Sequence, residues 1–211
     1  KQNGCILAMR SMLVRDGNGK IVLVDNGAGN KHLKQLSYYN FFDLVDLKEE
    51  LRRRDVACED VTDVILTHLH FDHCGYTTQK EEQPGEKSLF KMAFPNAIHW
   101  VGRAQWENFL HPNALEADSY FIENMQAAYD SGKLRLIESD TNLCPGIDLR
   151  LFDGHTPGQI APYITTPERT YVFAGDVIPL AASVSPLWIS AYDTYPVVSY
   201  NEKMRMLEEA V

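Results

Sequence analysis

The pattern of apolar and polar positions predicts strands that alternate with amphipathic helices. Two apolar runs rich in β-branched residues, at positions 6–14 and 21–24, flank a turn that contains Gly17 and Gly19. Because Asp-Gly and Asn-Gly pairs favour tight turns, these runs predict a β-hairpin. The other predicted elements are strands at 61–67, 97–101, 147–152, 160–165 and 170–174, helices at 41–54, 103–110, 117–131 and 202–210, and a polar loop or flap at 77–91.

Alternation of strands with helices argues for sheets that are covered by helices. The 211 residues suit one domain, so a single domain over 1–211 is expected. The net charge of −9, from 20 basic and 29 acidic residues, argues against a nucleic-acid partner. No apolar run approaches the ~20 residues that span a bilayer, so no membrane partner is expected.

The cysteines and the start of the chain bear on its location. The four cysteines form no CxxC pair, and free thiols in a reducing compartment are the simpler interpretation. A cytoplasmic location is therefore expected. Because Lys1 is not an initiator methionine, we also expect the N-terminus to be trimmed, which leaves a periplasmic or secreted location open.

A cluster of histidines follows the strand predicted at 61–67. His68, His70 and His73 stand with Asp72 within six residues, in the pattern HxHxDH. In an extended segment residues i and i+2 face the same side, so His68 and His70 can bind one metal ion. If the backbone then turns, Asp72 and His73 face a second position. Such ligands suit Zn²⁺, with Fe²⁺, Mn²⁺ and Co²⁺ as alternatives.

Two later motifs add ligand candidates. His155 stands in a GHTPG segment between two predicted strands, and Asp176 follows Gly175 at the end of the next strand. Either motif alone would more often mark a turn. Because they come in this order after HxHxDH, they indicate a metal site with ligands from several strand ends.

The order of these motifs resembles the metallo-β-lactamase superfamily. The resemblance runs from the LVDNG segment at 23–27 through HxHxDH and GHTPG to Gly175 and Asp176. The sequence around these motifs is most similar to the N-acyl-homoserine lactonase-like branch. The resemblance implies an α+β fold, namely an αββα sandwich with the metal site at one edge of two facing sheets.

The resemblance also implies two divalent metal ions, most simply zinc, and a role for each candidate residue. One further histidine ligand is expected beyond Val211, on a C-terminal strand absent from this chain. Together with the trimmed N-terminus, this means that truncation is expected at both ends. Gln159 replaces a second histidine that many members carry, at little expected cost. The implied assignment is His68, His70 and His155 for the first metal ion, Asp72 and His73 for the second, Asp176 bridging both, and Asp25 as a buried carboxylate that orients the ligand loop.

The activity that the resemblance implies is hydrolysis of a small-molecule substrate. A hydroxide activated by the two metal ions would open a lactone or cleave a small ester, with Asp72 as the catalytic residue that accepts or relays the proton. Trp188 and Tyr192 are candidates for the wall of a substrate pocket, and a homodimer stays open. The alternatives are a thioester, phosphodiester or β-lactam hydrolase of the same superfamily, and a non-catalytic binding module.

Overall fold

The strands build two sheets and one separate hairpin in the computed structural model, which describes residues 6–81 and 89–210. The strands are β1 (Met12–Arg15), β2 (Ile21–Val24), β3 (Asp63–Ile65), β4 (Thr78–Glu81), β5 (Leu89–Met92), β6 (Ile98–Gly102), β7 (Leu134–Ile137), β8 (Thr141–Cys144), β9 (Ile147–Phe152), β10 (Gln159–Thr165) and β11 (Thr170–Val172). The first sheet has the order β1-β2-β3-β6-β7, the second has the order β11-β10-β9-β8, and β4 pairs with β5.

Five α-helices accompany these strands within the described residues. They are α1 (Leu47–Arg52), α2 (Phe71–Cys74), α3 (Arg103–Leu110), α4 (Gln126–Asp130) and α5 (Pro196–Glu209). Within the described part of the chain, none of the helices has both the length and the apolar character required to cross a membrane.

Strand direction brings the loops of the first sheet to a common edge. β1 is antiparallel to β2, whereas β2, β3, β6 and β7 run parallel to one another. Because parallel strands all end on the same side, the loops that follow β2 and β3 lie next to each other. The second sheet is antiparallel throughout, so β9 and β11 end on the same side as each other.

Alternation of side chains across each strand produces the layers of the fold. Val24 and Ile65 of the first sheet belong to one buried cluster with Leu149 and Ile160 of the second, which forms the core between the sheets. The opposite face of the first sheet packs against α1, α3 and α4. On the far side of the second sheet, Met206 of α5 packs in a buried cluster with residues of β9 and β10. The predicted αββα sandwich is confirmed.

Several element boundaries differ from the sequence-based prediction. The first strand begins at Met12 rather than at position 6, and the helix predicted over 41–54 is limited to Leu47–Arg52. The side chain of Asp46 accepts hydrogen bonds from the backbone nitrogens of Lys48 and Glu49, which starts the helix there. The helix predicted over 117–131 is mostly 3₁₀ turns before α4, in a segment where Glu116 and Asn124 are buried. An amphipathic pattern is interpreted with polar side chains on the surface, so it does not reveal segments in which polar side chains are buried.

Other differences concern short strands. The segment predicted as a loop or flap at 77–91 contains β4 and β5, and its middle, 82–88, lies outside the described residues. The prediction also missed β7 and β8, whose residues are mostly half-buried or exposed. Of the four cysteines, Cys58, Cys74 and Cys144 are free, as expected, and all three are buried, whereas Cys5 lies outside the described residues.

A glycine lets α2 pack directly on the loop that follows β2. A Cβ atom on Gly75 would lie 2.1 Å from the carbonyl oxygen of Ala28. At this close approach the backbone nitrogen of Asn26 donates to the carbonyl oxygen of His73, at 2.8 Å. The loop after β2 and the helix after β3 are therefore held together at the sheet edge.

Burial of a histidine on β6 predicts a pH dependence of stability. His99 is fully buried, and burial lowers its pKa to about 4. An unfolded histidine titrates near 6.5, so as the pH falls through that value the unfolded chain binds a proton that the folded chain does not, and stability is lost. Between pH 7 and pH 5 we expect the native protein to lose about 2 kcal/mol more unfolding free energy than the variant His99→Gln, measured by urea denaturation.

The exposed His111 supplies the matched control for this experiment. The variant His111→Gln should lose as much unfolding free energy between the two pH values as the native protein does. An identical loss in His99→Gln would mean that burial does not depress the pKa of His99.

Candidate metal centre

The predicted ligands come from strand ends of both sheets. His68 and His70 follow β3, and α2 then carries Asp72 and His73. His155 lies in the loop between β9 and β10. Asp176 lies in the 3₁₀ turn that follows β11. The short extended segment before α2 places the first two histidines on one side, and the turn into α2 redirects the next two residues, as the spacing of the motif predicts.

These side chains form two groups of candidate ligand atoms that share one histidine. In the first group, ligand atoms of His68, His70 and His155 all lie within 4.8 Å of one another. The second group, with the same separation, contains His68, His73 and Asp176. The carboxylate of Asp176 lies between the groups, because Oδ1 is 3.4 Å from His73 Nε2 and Oδ2 is 3.5 Å from His155 Nε2.

The atoms of the first group suit a tetrahedral metal ion such as zinc. His70 Nδ1 lies 3.3 Å from His155 Nε2. Two nitrogens bound to one zinc ion at about 2.0–2.1 Å in tetrahedral geometry would lie about 3.3–3.4 Å apart. In addition, His68 Nε2 is buried without a hydrogen-bond partner among the described residues, which would be costly if nothing bound it. The donor set therefore fits a divalent metal ion.

The pKa values of two of these histidines are shifted in opposite directions. Burial, together with the neighbouring histidines, lowers the pKa of His68 well below its ordinary value, so its ring is neutral and able to bind a metal ion. Burial also disfavours the charged form of His73, but the carboxylates of Asp72, Asp176 and Asp25 outweigh it and raise the pKa of His73 well above the ordinary value. A metal ion bound at His73 would have to displace that proton.

Each candidate histidine also makes a hydrogen bond through its other ring nitrogen. A carboxylate oxygen is the partner for three of the rings and a hydroxyl group for the fourth. Because an ionised carboxylate can only accept, those three rings carry a proton on the outer nitrogen. In a neutral ring the inner nitrogen is then unprotonated and able to bind a metal ion, whereas His73, with its raised pKa, must first lose its second proton. The pairs are His73 Nδ1 with Asp25 Oδ2 at 2.7 Å, His70 Nε2 with Glu116 Oε2 at 3.0 Å, His155 Nδ1 with Asp193 Oδ1 at 2.9 Å, and His68 Nδ1 with Thr67 Oγ1 at 3.0 Å.

Asp25 joins the loops after β2 and β3. It is buried, with a left-handed backbone at φ 51°, a conformation that aspartate tolerates better than most residues. Its Oδ1 accepts the backbone nitrogen of Thr67 at 2.7 Å, and its Oδ2 accepts the Thr67 hydroxyl at 2.9 Å and His73 Nδ1. The carboxylate thus lies where the sequence analysis expects it, behind the ligand loop.

Three other predicted residues lie outside the two ligand groups. The side chain of Asp72 is 37% exposed, with Oδ2 at 3.6 Å from His73 Nε2. Trp188 and Tyr192 are exposed on the segment before α5. Among the described residues, the walls of the two cavities of about 480 and 430 Å³ come from other segments. The role of this pair of aromatic residues therefore stays a prediction.

Sequence reasoning missed two of the carboxylates that contact the histidines. Glu116 lies in the irregular segment between α3 and α4, and Asp193 lies in the segment before α5. Burial opposes the ionised form of Glu116, but hydrogen bonds from His70, Asn108 and others lower its pKa to about 2. The only available signal was general: a metal-binding histidine usually donates to an acceptor, and this rule does not say where in the sequence the acceptor lies.

Comparison with known proteins gives the family. The family model described as "Metallo-beta-lactamase superfamily" matches residues 10–76. A probable metal-dependent hydrolase from Staphylococcus aureus has 32% sequence identity and a TM-score of 0.82, over 93% of this chain and 68% of that chain. The chain belongs to the metallo-beta-lactamase superfamily.

Lactonases are among the superfamily members similar to this chain. An N-acyl homoserine lactonase from Bacillus thuringiensis is 28% identical over 116 residues, which are 55% of this chain and 38% of that protein. The chain thus spans well under half the length of the curated relatives it matches. AidC, a dizinc quorum-quenching lactonase, has a similar fold, with 20% identity and a TM-score of 0.70 over 93% of this chain and 66% of that chain. The resemblance to the superfamily and its lactonase-like branch is confirmed.

The shared position of His68 predicts unequal effects of two substitutions on metal binding. His68→Ala removes a ligand from both groups, whereas His73→Ala leaves the first group intact. After dialysis against buffered zinc, we expect ~0 zinc ions per chain in His68→Ala and ~1 in His73→Ala, measured by elemental analysis. His111→Ala, a substitution of an exposed histidine, should bind as much zinc as the native protein. Native zinc content in His68→Ala would contradict the assignment of His68.

Proposed function

We propose that this chain forms the catalytic domain of a metal-dependent hydrolase that opens a lactone or cleaves a small ester. The observation that carries the proposal is the pair of ligand groups that share His68, because two adjacent metal positions are typical of hydrolases that activate water. The relationship to lactonases supports the same class of reaction.

Six side chains would hold two divalent metal ions, for which zinc is the simplest choice given these imidazoles and carboxylates. When bound, the ions would polarise the carbonyl group of the substrate and lower the pKa of a bound water to about 7. The chain itself contributes fixed ring orientations, through the carboxylates behind the histidines. The proposed ligands are His68, His70, Asp72, His73, His155 and Asp176.

Asp72 is the proposed catalytic residue. Its carboxylate is partly exposed and lies 3.6 Å from His73 Nε2, at the side of the second ligand group. A carboxylate in that position can accept the proton that the attacking water loses and return it to the leaving oxygen. Asp25, by contrast, is buried and engaged by Thr67 and His73, so its role is to orient the ligand loop.

A cavity of about 430 Å³ beside the site supports a small substrate with an apolar group. Its walls include Tyr39, Tyr120 and Phe121, and the ring centroid of Tyr120 lies 4.9 Å from that of His70. Aromatic walls favour apolar groups, and the net charge of −9 disfavours an anionic substrate. We therefore propose a neutral lactone or ester.

Tyr192 is a candidate for the outer wall of the same cavity. Burial, with Tyr192 and Asp72 nearby, raises the pKa of Tyr39. This electrostatic influence on Tyr39, a residue of the cavity wall, supports a place for Tyr192 near the cavity mouth. Trp188 lies four residues before Tyr192 on the same exposed segment, so both aromatic residues are proposed to contact substrate at the cavity mouth.

Substitution of Asp72 tests the proposed chemistry. We expect Asp72→Asn to fold normally, because the side chain is partly exposed, and to hydrolyse lactones and aryl esters about 10²–10⁴-fold more slowly, the range for loss of an acid–base or electrostatic group. The measurement is kcat/KM of the zinc-loaded protein with a panel of lactones, aryl esters, thioesters, phosphodiesters and a β-lactam.

The exposed Asp148 offers the matched control, since Asp148→Asn makes the same chemical change near the start of β9, at the opposite end of that strand from the loop that carries His155. That variant should retain the native rate. Turnover of a thioester or a phosphodiester, with no lactone or ester cleaved, would leave a metal-dependent hydrolase but overturn the proposed substrate class. A zinc-loaded protein that hydrolyses none of the panel would favour a binding module.

A further inference from the structure

Glu116 occupies an unusual position for a carboxylate outside the sequence motifs. It is 4% exposed, and Oε2 lies 3.0 Å from His70 Nε2. The segment that carries it, between α3 and α4, supplies none of the proposed ligands. Because burial of an unpaired charge is costly, a carboxylate in this position must be stabilised by the groups around it.

Among the described residues, the side chains that hydrogen-bond to the Glu116 carboxylate all do so through groups able to donate. The donors come from α3, from the segment between α3 and α4, and from the loop that carries His155. They are Asn108 Nδ2 at 2.9 Å and Asn113 Nδ2 at 2.6 Å on Oε1, and Tyr120 Oη at 2.8 Å and Thr156 Oγ1 at 2.9 Å on Oε2. This ring of donors suits an ionised carboxylate held in one orientation.

An acceptor in this orientation determines which nitrogen of His70 carries the proton. A neutral imidazole has one protonated nitrogen, and Glu116 can only accept from Nε2. His70 Nδ1 is then unprotonated, and it is this atom that lies 3.3 Å from His155 Nε2 in the first ligand group. The other tautomer would direct an N–H group toward the metal position and leave Nε2 facing an anion.

We propose that Glu116 is a positioning residue that holds His70 in the tautomer able to bind metal through Nδ1. The proposal rests on the metal centre proposed above. Among the described residues, Glu116 belongs to neither ligand group and to the walls of neither cavity, so it would act through the ring of His70. Tyr120 donates to the same Oε2 and also lines both cavities, so the segment that walls the cavities also orients a metal ligand.

Glu116→Gln tests the proposal, because it keeps the size of the side chain and removes the charge. In the metal-free native protein, nitrogen NMR of the histidine rings should show the proton of the neutral His70 ring on Nε2 alone. In Glu116→Gln it should show a mixture of two neutral tautomers, one with the proton on Nε2 and one with the proton on Nδ1. Zinc affinity, measured by competition with a chelator, should fall about 10–100-fold. Glu107→Gln changes an exposed glutamate on α3 in the same way and should alter neither measurement.

A second variant covers the case in which Glu116→Gln does not fold. Glu116→Asp keeps the charge but withdraws the carboxylate by about 1.5 Å, one carbon–carbon bond, and should also yield mixed tautomers and weaker zinc binding. Zinc affinity that falls while His70 stays protonated only at Nε2 would overturn the proposal in favour of a structural role, as would native affinity in both variants. If the native protein bound no zinc, the metal centre would be wrong, whereas the tautomer measurement would still test the contact between Glu116 and His70.

Discussion

The arrangement of the site depends on the hydrogen bonds that the carboxylate of Asp25 accepts. It accepts two hydrogen bonds from Thr67, at the end of β3, and a third from His73 on α2. Since Asp25 directly follows β2, one side chain joins two neighbouring strand ends and the helix that carries the second half of the HxHxDH motif. Gly75 permits the close backbone contact that completes this connection. Without these contacts, the segment that carries His68, His70 and His73 would lose its connection to the loop after β2.

The two sheets are needed because neither supplies a full set of ligands. The first sheet provides His68, His70 and His73, and the second provides His155 and Asp176. The separation of the two sets is determined by the apolar layer between the sheets, which contains Ile65 directly before the ligand segment. Packing in that layer therefore controls the distances between ligand atoms, which makes core stability and metal affinity dependent on the same contacts.

The residue pattern predicted sheets covered by helices, the strands that precede the site and the candidate ligands because each leaves a local signal, whereas the αββα layers were implied by the family resemblance. HxHxDH, GHTPG and the pair Gly175-Asp176 combine required residue types with fixed spacing, and the strands that precede them are apolar. The helix boundaries were less predictable. Asp46 shortened one helix by capping it, and buried polar residues such as Asn124 break the amphipathic pattern of another segment.

The partners of the histidines show the limit of local patterns most clearly. Asp25 was found because it stands in a motif, whereas Glu116 and Asp193 stand in irregular segments with no fixed spacing to the rings they contact. A histidine that binds metal requires an acceptor at a particular point in space, and any segment that reaches that point can provide it. Sequence spacing therefore specifies the ligands, but only the packed fold specifies the groups that orient them. Variation in such segments could alter metal affinity without altering any ligand.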